Sequence, residues 1–447
     1  MEFLIKASQL ILSLSILVVL HEMGHFLPAR WFKIRVEKFY LFFDPWFSLF
    51  KTKRGDTEYG IGWLPLGGYV KISGMVDESM DKEQMAKPPE PWEFRSKPAW
   101  QRLIVMVGGV TVNLLLGMLI YIGVLFVWGR EYLPLESATY GVHPSRTLAA
   151  QGVQEGDRIL LVDGVKPRTV ADAQKEIMIG GARSLEVDRN GQHVKIDLAP
   201  GYNQMALDSG EKEILAVRLP FYLDTLEAGK NAAKSDLRKG DKIIAVDHEP
   251  TLFYEDFRKS LGTKKDMGIT VTVVRSMDTL DIGVQVDGNG KVGVGPMNYA
   301  KLAAMGEGFS TVREEYGLLA SVPAGISYGL ETLGGYVSSL KLLFSKSGAG
   351  QIGGFGAIGS MFPASWDWQV FWNMTAFLSI VLAFMNILPI PALDGGHVMF
   401  LLYEMLTKRV PNQRVMEVAQ MVGMALLFGL ILFANGNDLF KWVTGRM

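Results

Sequence analysis

The stretch Val18-Val19-Leu20-His21-Glu22-Met23-Gly24-His25-Phe26 closes a run that is otherwise apolar from Phe3 onward. On a helix, residues four apart share a face, so His21 and His25 stand side by side. Two imidazoles at that spacing can take two corners of a zinc tetrahedron. Glu22 lies beside them, where a carboxylate can take a proton from a water activated at the metal. A charged side chain in the middle of a membrane helix costs about 2.5–3.5 kcal/mol on insertion scales, so ionisable groups in such a run point to function.

The composition sets the class. The 447 residues are enough for several domains. An apolar share of 49% beside 20% charged residues fits a few spans plus a soluble region of ordinary composition. The net charge of −1 gives no basic footprint for nucleic acid. There are no cysteines, which excludes disulfides and thiolate metal sites and leaves His, Asp and Glu as ligands. The first apolar run carries Lys6 near its start but ends in His-Glu-Met-Gly-His instead of a small-residue cleavage site, so it is expected to be a retained span.

Four runs have the length and apolarity of membrane helices: roughly Phe3–Leu27, Leu103–Trp128, Val370–Leu388 and Val418–Ala434. Basic residues crowd the first loop (Arg30, Lys33, Arg35, Lys38, Lys51, Lys53, Arg54) and the third (Lys408, Arg409, Arg414). The positive-inside rule makes both loops cytoplasmic. Both termini and the middle region, about 130–369, are then outside, and His21 and His25 lie near the cytoplasmic end of their helix. Between the first two spans, the stretches Phe39–Phe50 and Glu58–Ile72 are apolar but broken by Gly and Pro, and Leu64-Pro65-Leu66-Gly67-Gly68-Tyr69-Val70-Lys71 reads as a turn entering a strand. Non-helical backbone at membrane depth needs a cavity or protein around it, so this segment is expected to dip toward the site. A Pro-rich loop over 76–98, overlapping an amphipathic lead-in over Trp92–Arg102, follows.

The middle region repeats itself. Glu155-Gly156-Asp157-Arg158-Ile159-Leu160-Leu161-Val162-Asp163-Gly164 recurs as Lys239-Gly240-Asp241-Lys242-Ile243-Ile244-Ala245-Val246-Asp247-His248. An Ala-rich segment precedes each copy and a β-rich tail follows it, so two copies of a small domain are expected. His248 stands where the first copy has Gly164, so the turn there is expected to differ. Residues 307–345 carry helical periodicity on Phe309, Val312, Tyr316, Leu319, Leu330 and Leu333, and Ser347–Ser360 is Gly-rich.

The third span ends in Asn386-Ile387-Leu388-Pro389-Ile390-Pro391-Ala392-Leu393-Asp394-Gly395-Gly396-His397. The prolines break the helix there and leave Asp394 at about the depth of His25. A catalytic zinc site takes three protein ligands and keeps one position open; His21, His25 and Asp394 supply the three, with Glu22 as base. His397 is read as supporting or structural. Asn113 in the second span and Asn386 in the third each need a partner, either a neighbouring helix or a substrate backbone.

Together these residues resemble the site-2 protease family of intramembrane zinc metalloproteases. Within it they are similar to the bacterial tandem-PDZ branch that includes sigma-E regulator proteases and cleaves anti-sigma factors. The resemblance rests on His21-Glu22-x-x-His25, Leu64–Lys71, Gly109-x-x-x-Asn113 and Asn386-x-x-Pro389-x-Pro391-x-Leu393-Asp394-Gly395-Gly396, in the family's order. Val110, Phe42-Phe43-Asp44-Pro45 and Gly354–Ile358 depart from the family pattern, and none is a ligand. The resemblance implies Zn²⁺ on His21, His25 and Asp394, Glu22 as base, and a re-entrant β-loop over 58–72, with Gly67, Gly68 and Tyr69, that receives substrate as an added strand. It also implies that Asn113 and Asn386 position substrate, and that PDZ-like domains admit single-span membrane proteins already trimmed outside.

The expected fold class is a multi-pass α-helical membrane protein with four transmembrane helices, a re-entrant β-loop and two inserted α+β PDZ-like domains. The expected division is a first membrane half (1–129), PDZ-like domains (130–215 and 216–300), amphipathic helices and a Gly-rich loop (301–369), and a second membrane half (370–447). The expected function is an intramembrane zinc metalloprotease of the bacterial inner membrane. Its partners are anti-sigma-factor-like substrates, lipid, and peptides or chain ends on the PDZ-like domains, without nucleic acid. The rival is a non-catalytic PDZ-bearing membrane scaffold, against which an intact Glu22 argues because a structural site needs no base.

Overall fold

The computed structural model describes residues 2–75, 88–211, 213–227, 229–343 and 353–443. The expected loop over 76–98 and the Gly-rich stretch from Ser347 fall partly outside these residues. The described chain forms two compact units, one holding 2–129, 315–343 and 353–443 and the other 130–314.

In the first unit, four helices among the described residues are long and apolar enough to cross a membrane. They are α1 (Glu2–Trp31), α2 (Ala99–Trp128), α5 (Trp368–Ile387) and α7 (Gln413–Val443), with α3 (Leu318–Leu343), α4 (Phe355–Ser360) and α6 (Asp394–Thr407) between the last three and α2. Three of the four runs read from the sequence lie within one of them, and the third, Val370–Leu388, overruns α5 by one residue. Small residues let their backbones approach: a Cβ at Gly24 of α1 would lie 2.5 Å from the Gly108 carbonyl oxygen of α2, inside any real contact. Buried hydroxyls join the helices elsewhere. Ser379 Oγ donates to the Asn113 carbonyl at 2.6 Å, and Thr375 Oγ1 donates to Ser13 Oγ at 3.0 Å. With no water to serve them, such groups find partners across helix interfaces. At the far end of α7, Asp438 accepts the Gly354 and Ala357 N–H groups, each at 2.9 Å, and so caps α4.

Between α1 and α2 lie β1 (Val36–Arg54) and β2 (Thr57–Ile72), joined at Gly55-Asp56. The hairpin folds back on itself. Ser48–Arg54 pairs with Thr57–Gly62, while Lys38–Leu41 pairs both with Glu58–Ile61 and with Gly68–Lys71. The reversal needs left-handed backbone at Phe42 (φ +68°) and Trp46 (φ +74°), conformations an L residue adopts only when its surroundings impose them. The tip exposes Trp46, Phe47, Leu49 and Phe50. At the root, Val36 and Ile72 pack with Ala29, Val105 and Leu401 in one buried cluster. That cluster holds the hairpin against α1, α2 and α6.

Two local expectations are corrected. Phe309, Val312 and Tyr316 are not helical: Val312–Glu314 is a strand paired with Arg130–Tyr132, and the helix begins at Leu318. Strand pairing across the base of the second unit overrides the periodicity. The expected lead-in over Trp92–Arg102 is a 3₁₀ turn over Phe94–Ser96, and α2 starts only after Pro98, because a proline disfavours helical backbone in the residue before it.

The second unit repeats its structure as the sequence repeats. Arg158–Val162 pairs with Ser184–Arg189, and Lys242–Val246 pairs with Gly268–Arg275. Asp157 and Asp241, each 1% exposed, take bidentate hydrogen bonds from Arg189 and Arg275 of 2.7–2.8 Å. The expectation that the turns differ is also corrected. Asp163 and Gly164 have φ of +48° and +78°, and Asp247 and His248 have +50° and +67°. Both copies make the same turn because the preceding aspartate accepts a backbone N–H, from Ser184 or from Thr270; His248 adopts the left-handed backbone that Gly164 takes freely.

Asp157→Ala leaves Arg189 without its carboxylate and is expected to destabilise the second unit by about 3 kcal/mol. Lys166→Ala, which breaks the exposed pair with Glu136, is expected to cost less than about 1 kcal/mol. Pulse proteolysis of the full chain across a urea series measures both.

Candidate metal centre

The sequence places His21 and His25 on one face of α1, and the bundle brings them to Asp394, the first residue of α6. His21 Nε2 and His25 Nε2 are 3.3 Å apart. Asp394 Oδ2 lies 3.2 Å from the first and 3.3 Å from the second. A tetrahedral zinc with bonds of about 2.0–2.1 Å has ligand atoms roughly 3.3–3.4 Å apart, so the three atoms outline one face of such a tetrahedron. Asp394 Oδ2 is buried and has no hydrogen-bond partner of acceptable geometry. A buried carboxylate oxygen facing two imidazole nitrogens is an arrangement that a cation completes. Among the described residues these three are the group of His, Asp and Glu side chains close enough to hold one ion.

The surroundings fix the rings. His25 Nδ1 lies 2.8 Å from the Val105 carbonyl, so a proton there is donated to α2 and Nε2 is left with its lone pair for a metal. Gly109 of α2 lies under both rings; a Cβ there would collide with His25 Nε2 and come within 2.7 Å of His21 Cε1. Asn113, one turn further along α2 and 1% exposed, places its amide nitrogen 3.3 Å from His21 Nδ1. Asn386 places its own 3.3 Å from His21 Nε2. The two asparagines therefore flank one imidazole: Asn386 on the side of the three convergent atoms, Asn113 behind the ring and out of reach of solvent.

Asp394 owes its position to a tight turn. Helix α5 stops at Ile387, and the chain turns tightly through Pro389 and Pro391, with the Ile390 N–H donating to the Leu388 carbonyl at 2.7 Å and the Leu393 N–H to the Ile390 carbonyl at 3.1 Å, across Ala392, whose φ is +80°. Gly395 and Gly396 then pack so closely against the carbonyls of Leu388 and Ile390 that a Cβ at either would clash.

A cavity of about 650 Å³ opens on the three atoms, lined also by Glu22, Gly68, Tyr69, His397 and Gln420. Val70 lines the cavity together with Glu22, so β2 borders the candidate base. Gly68 brings β2 against α1, since a Cβ there would meet Val18 at 2.5 Å. Gly67 (φ +148°) makes the bend before it and does not line the cavity. The Tyr69 ring stacks on Tyr40, with centroids 5.3 Å apart, and its hydroxyl donates to Asp44 at 2.9 Å. That side chain anchors the sheet and leaves the backbone edge of Gly68–Lys71 toward the cavity. Gln420 went unread in the sequence; a lone amide in the apolar fourth span was the available signal.

Residues 9–430 match the model of peptidase family M50. A Xylella fastidiosa protein whose name describes it as a zinc metalloprotease is 30% identical, over 98% of this chain and 99% of its own. The Haemophilus influenzae regulator of sigma E protease is 28% identical over 99% of this chain and 100% of its own. The metalloprotease MmpA of Caulobacter vibrioides is 26% identical over 99% and 98%.

Gly109→Val is expected to push the imidazoles apart and lower zinc affinity at least about tenfold, the scale seen when groups supporting metal ligands are altered. Competition against a chromophoric chelator measures it; unchanged affinity would mean that α2 does not set the ring positions.

Proposed function

The chain belongs to peptidase family M50, the site-2 proteases, and is a zinc metalloendopeptidase; from that footing we propose that it cleaves single-span membrane proteins in or near their transmembrane helix, with zinc held by His21, His25 and Asp394. The observation that carries the assignment is the triangle of two Nε2 atoms and Oδ2 with 3.2–3.3 Å sides. Bound zinc supplies a Lewis acid for the scissile carbonyl and a water acidified toward a pKa of about 7. Glu22 takes the proton of the attacking water and returns it to the leaving amine. Asn386, beside His21 Nε2, turns an amide N–H toward the oxygen on which charge develops.

A helical substrate hides its carbonyls and has to be extended before attack. The 68–71 edge of β2 faces the cavity and among the described residues pairs on its other side with β1 alone, so an extended substrate segment adds there as a further strand. The apolar tip at Trp46, Phe47, Leu49 and Phe50 suits a hairpin that enters the bilayer, which is the re-entrant role expected of it. We place the site toward the cytoplasmic face of a bacterial inner membrane, by the basic residues in the first and third loops. The two repeats, 130–215 and 216–300, are proposed as PDZ-like domains outside, which hold a peptide or chain end and admit substrates already trimmed. An anti-sigma factor is the proposed substrate; the Haemophilus relative's name points the same way.

Glu22→Gln is expected to keep full zinc content and to slow cleavage by a factor of at least about 10². The assay is cleavage of a single-span, externally trimmed anti-sigma-factor-like substrate in membranes containing either protein. Equal cleavage by both would remove Glu22 from the chemistry.

A further inference from the structure

Gln420 of α7 is 6% exposed in an otherwise apolar part of the fourth span. Its Oε1 accepts the Ala392 N–H at 3.2 Å. Ala392 lies two residues before Asp394 and has a φ of +80°, in the left-handed region that an alanine seldom occupies. Gly423 lies three residues on, on the same face of α7, and a Cβ there would collide with the Pro391 carbonyl. So α7 meets the turn at two successive residues, with its backbone against Pro391 and its amide on Ala392. From the other side, Gly395 and Gly396 close on the carbonyls of Leu388 and Ile390. The turn that aims Asp394 at the imidazoles is held between these contacts, and Gln420 also lines the cavity that His21, Glu22, His25 and Asp394 share.

We propose that Gln420 is a positioning residue of the metal centre: by accepting the Ala392 N–H, it holds the left-handed turn that delivers Asp394 Oδ2 to His21 and His25. The inference rests on the reading of Asp394 as a ligand. It makes the fourth span part of the metal centre although it contributes no ligand atom. A neutral amide suits the task, because it fixes the backbone without adding charge to a site that already holds Asp394 and Glu22. Without that acceptor, Ala392 relaxes toward negative φ and swings the carboxylate away. A glycine at 392 accepts positive φ without penalty, and the turn then depends far less on Gln420.

The test uses the full-length protein, with zinc affinity read by chelator competition and cleavage read alongside. Gln420→Leu is expected to weaken zinc binding by roughly tenfold, as loss of groups that orient metal ligands does. Ala392→Gly is expected to be near neutral alone and to restore most of the affinity in the Gln420→Leu background. A general packing defect in α7 would not be repaired by removing a methyl group from another segment. Unchanged affinity in Gln420→Leu, or a loss that Ala392→Gly fails to restore, overturns the proposal. Asp394→Ala, run in parallel, separates the two claims: wild-type affinity there would show that the ligand reading itself had failed.

Discussion

Two imidazole nitrogens and one carboxylate oxygen from opposite ends of the chain meet within 3.2–3.3 Å of one another inside an apolar bundle, and the first unit is arranged around that convergence. The helix α1 brings two imidazoles on one face. The helix α2 has to come close enough to support them, which requires Gly24, Gly108 and Gly109 where any larger residue would hold the backbones apart. Asp394 arrives from a separate segment, and neither helix propensity nor apolar burial would place it. The Pro389–Gly396 turn does so, under compression from α7.

The same packing explains how polar groups persist in the spans. Asn113 donates no side-chain group to solvent. Its carbonyl takes the Ser379 hydroxyl and its amide meets His21, so one residue joins α1, α2 and α5. Gln420 and Asp438 do the equivalent on α7, one holding Ala392 and the other capping α4. These three side chains each make at least one hydrogen bond within the bundle, as a low-dielectric setting favours, although Asn113 Oδ1 and Asp438 Oδ1 are buried without a partner. The specificity of the bundle is therefore written in a few hydrogen bonds and close glycine contacts, laid over an otherwise uniform apolar surface.

Much of this was legible in the sequence because it is local. The spacing of His21 and His25, the lengths of the apolar runs and the prolines before Asp394 each imply their structure within a few residues. The Gly-Asp repeat was legible because its residues recur in the same order, although the arginines that pair with Asp157 and Asp241 lie 32 and 34 residues further on. What escaped was imposed from a distance. The left-handed backbone at Phe42 and Trp46 follows from the folding back of the hairpin, and nothing in Phe42-Phe43-Asp44-Pro45-Trp46 announces it. Val312 reads as helical until Tyr132 is there to pair with it. His248 looks like a break in the repeat until the Asp247 hydrogen bond to Thr270 shows the turn to be the same. Gln420 acquires its meaning only from the strained alanine opposite it.

The central claim is that two imidazoles and one carboxylate hold zinc at the junction of α1 and α6. X-ray absorption at the zinc edge of the zinc-loaded full-length protein tests it most directly. The expected spectrum has a four-coordinate shell of nitrogen and oxygen at about 2.0–2.1 Å, with the outer-shell scattering of two imidazoles. That scattering falls by half in His21→Ala protein. A shell of oxygen atoms without imidazole scattering, or a spectrum unchanged in His21→Ala, would contradict the account.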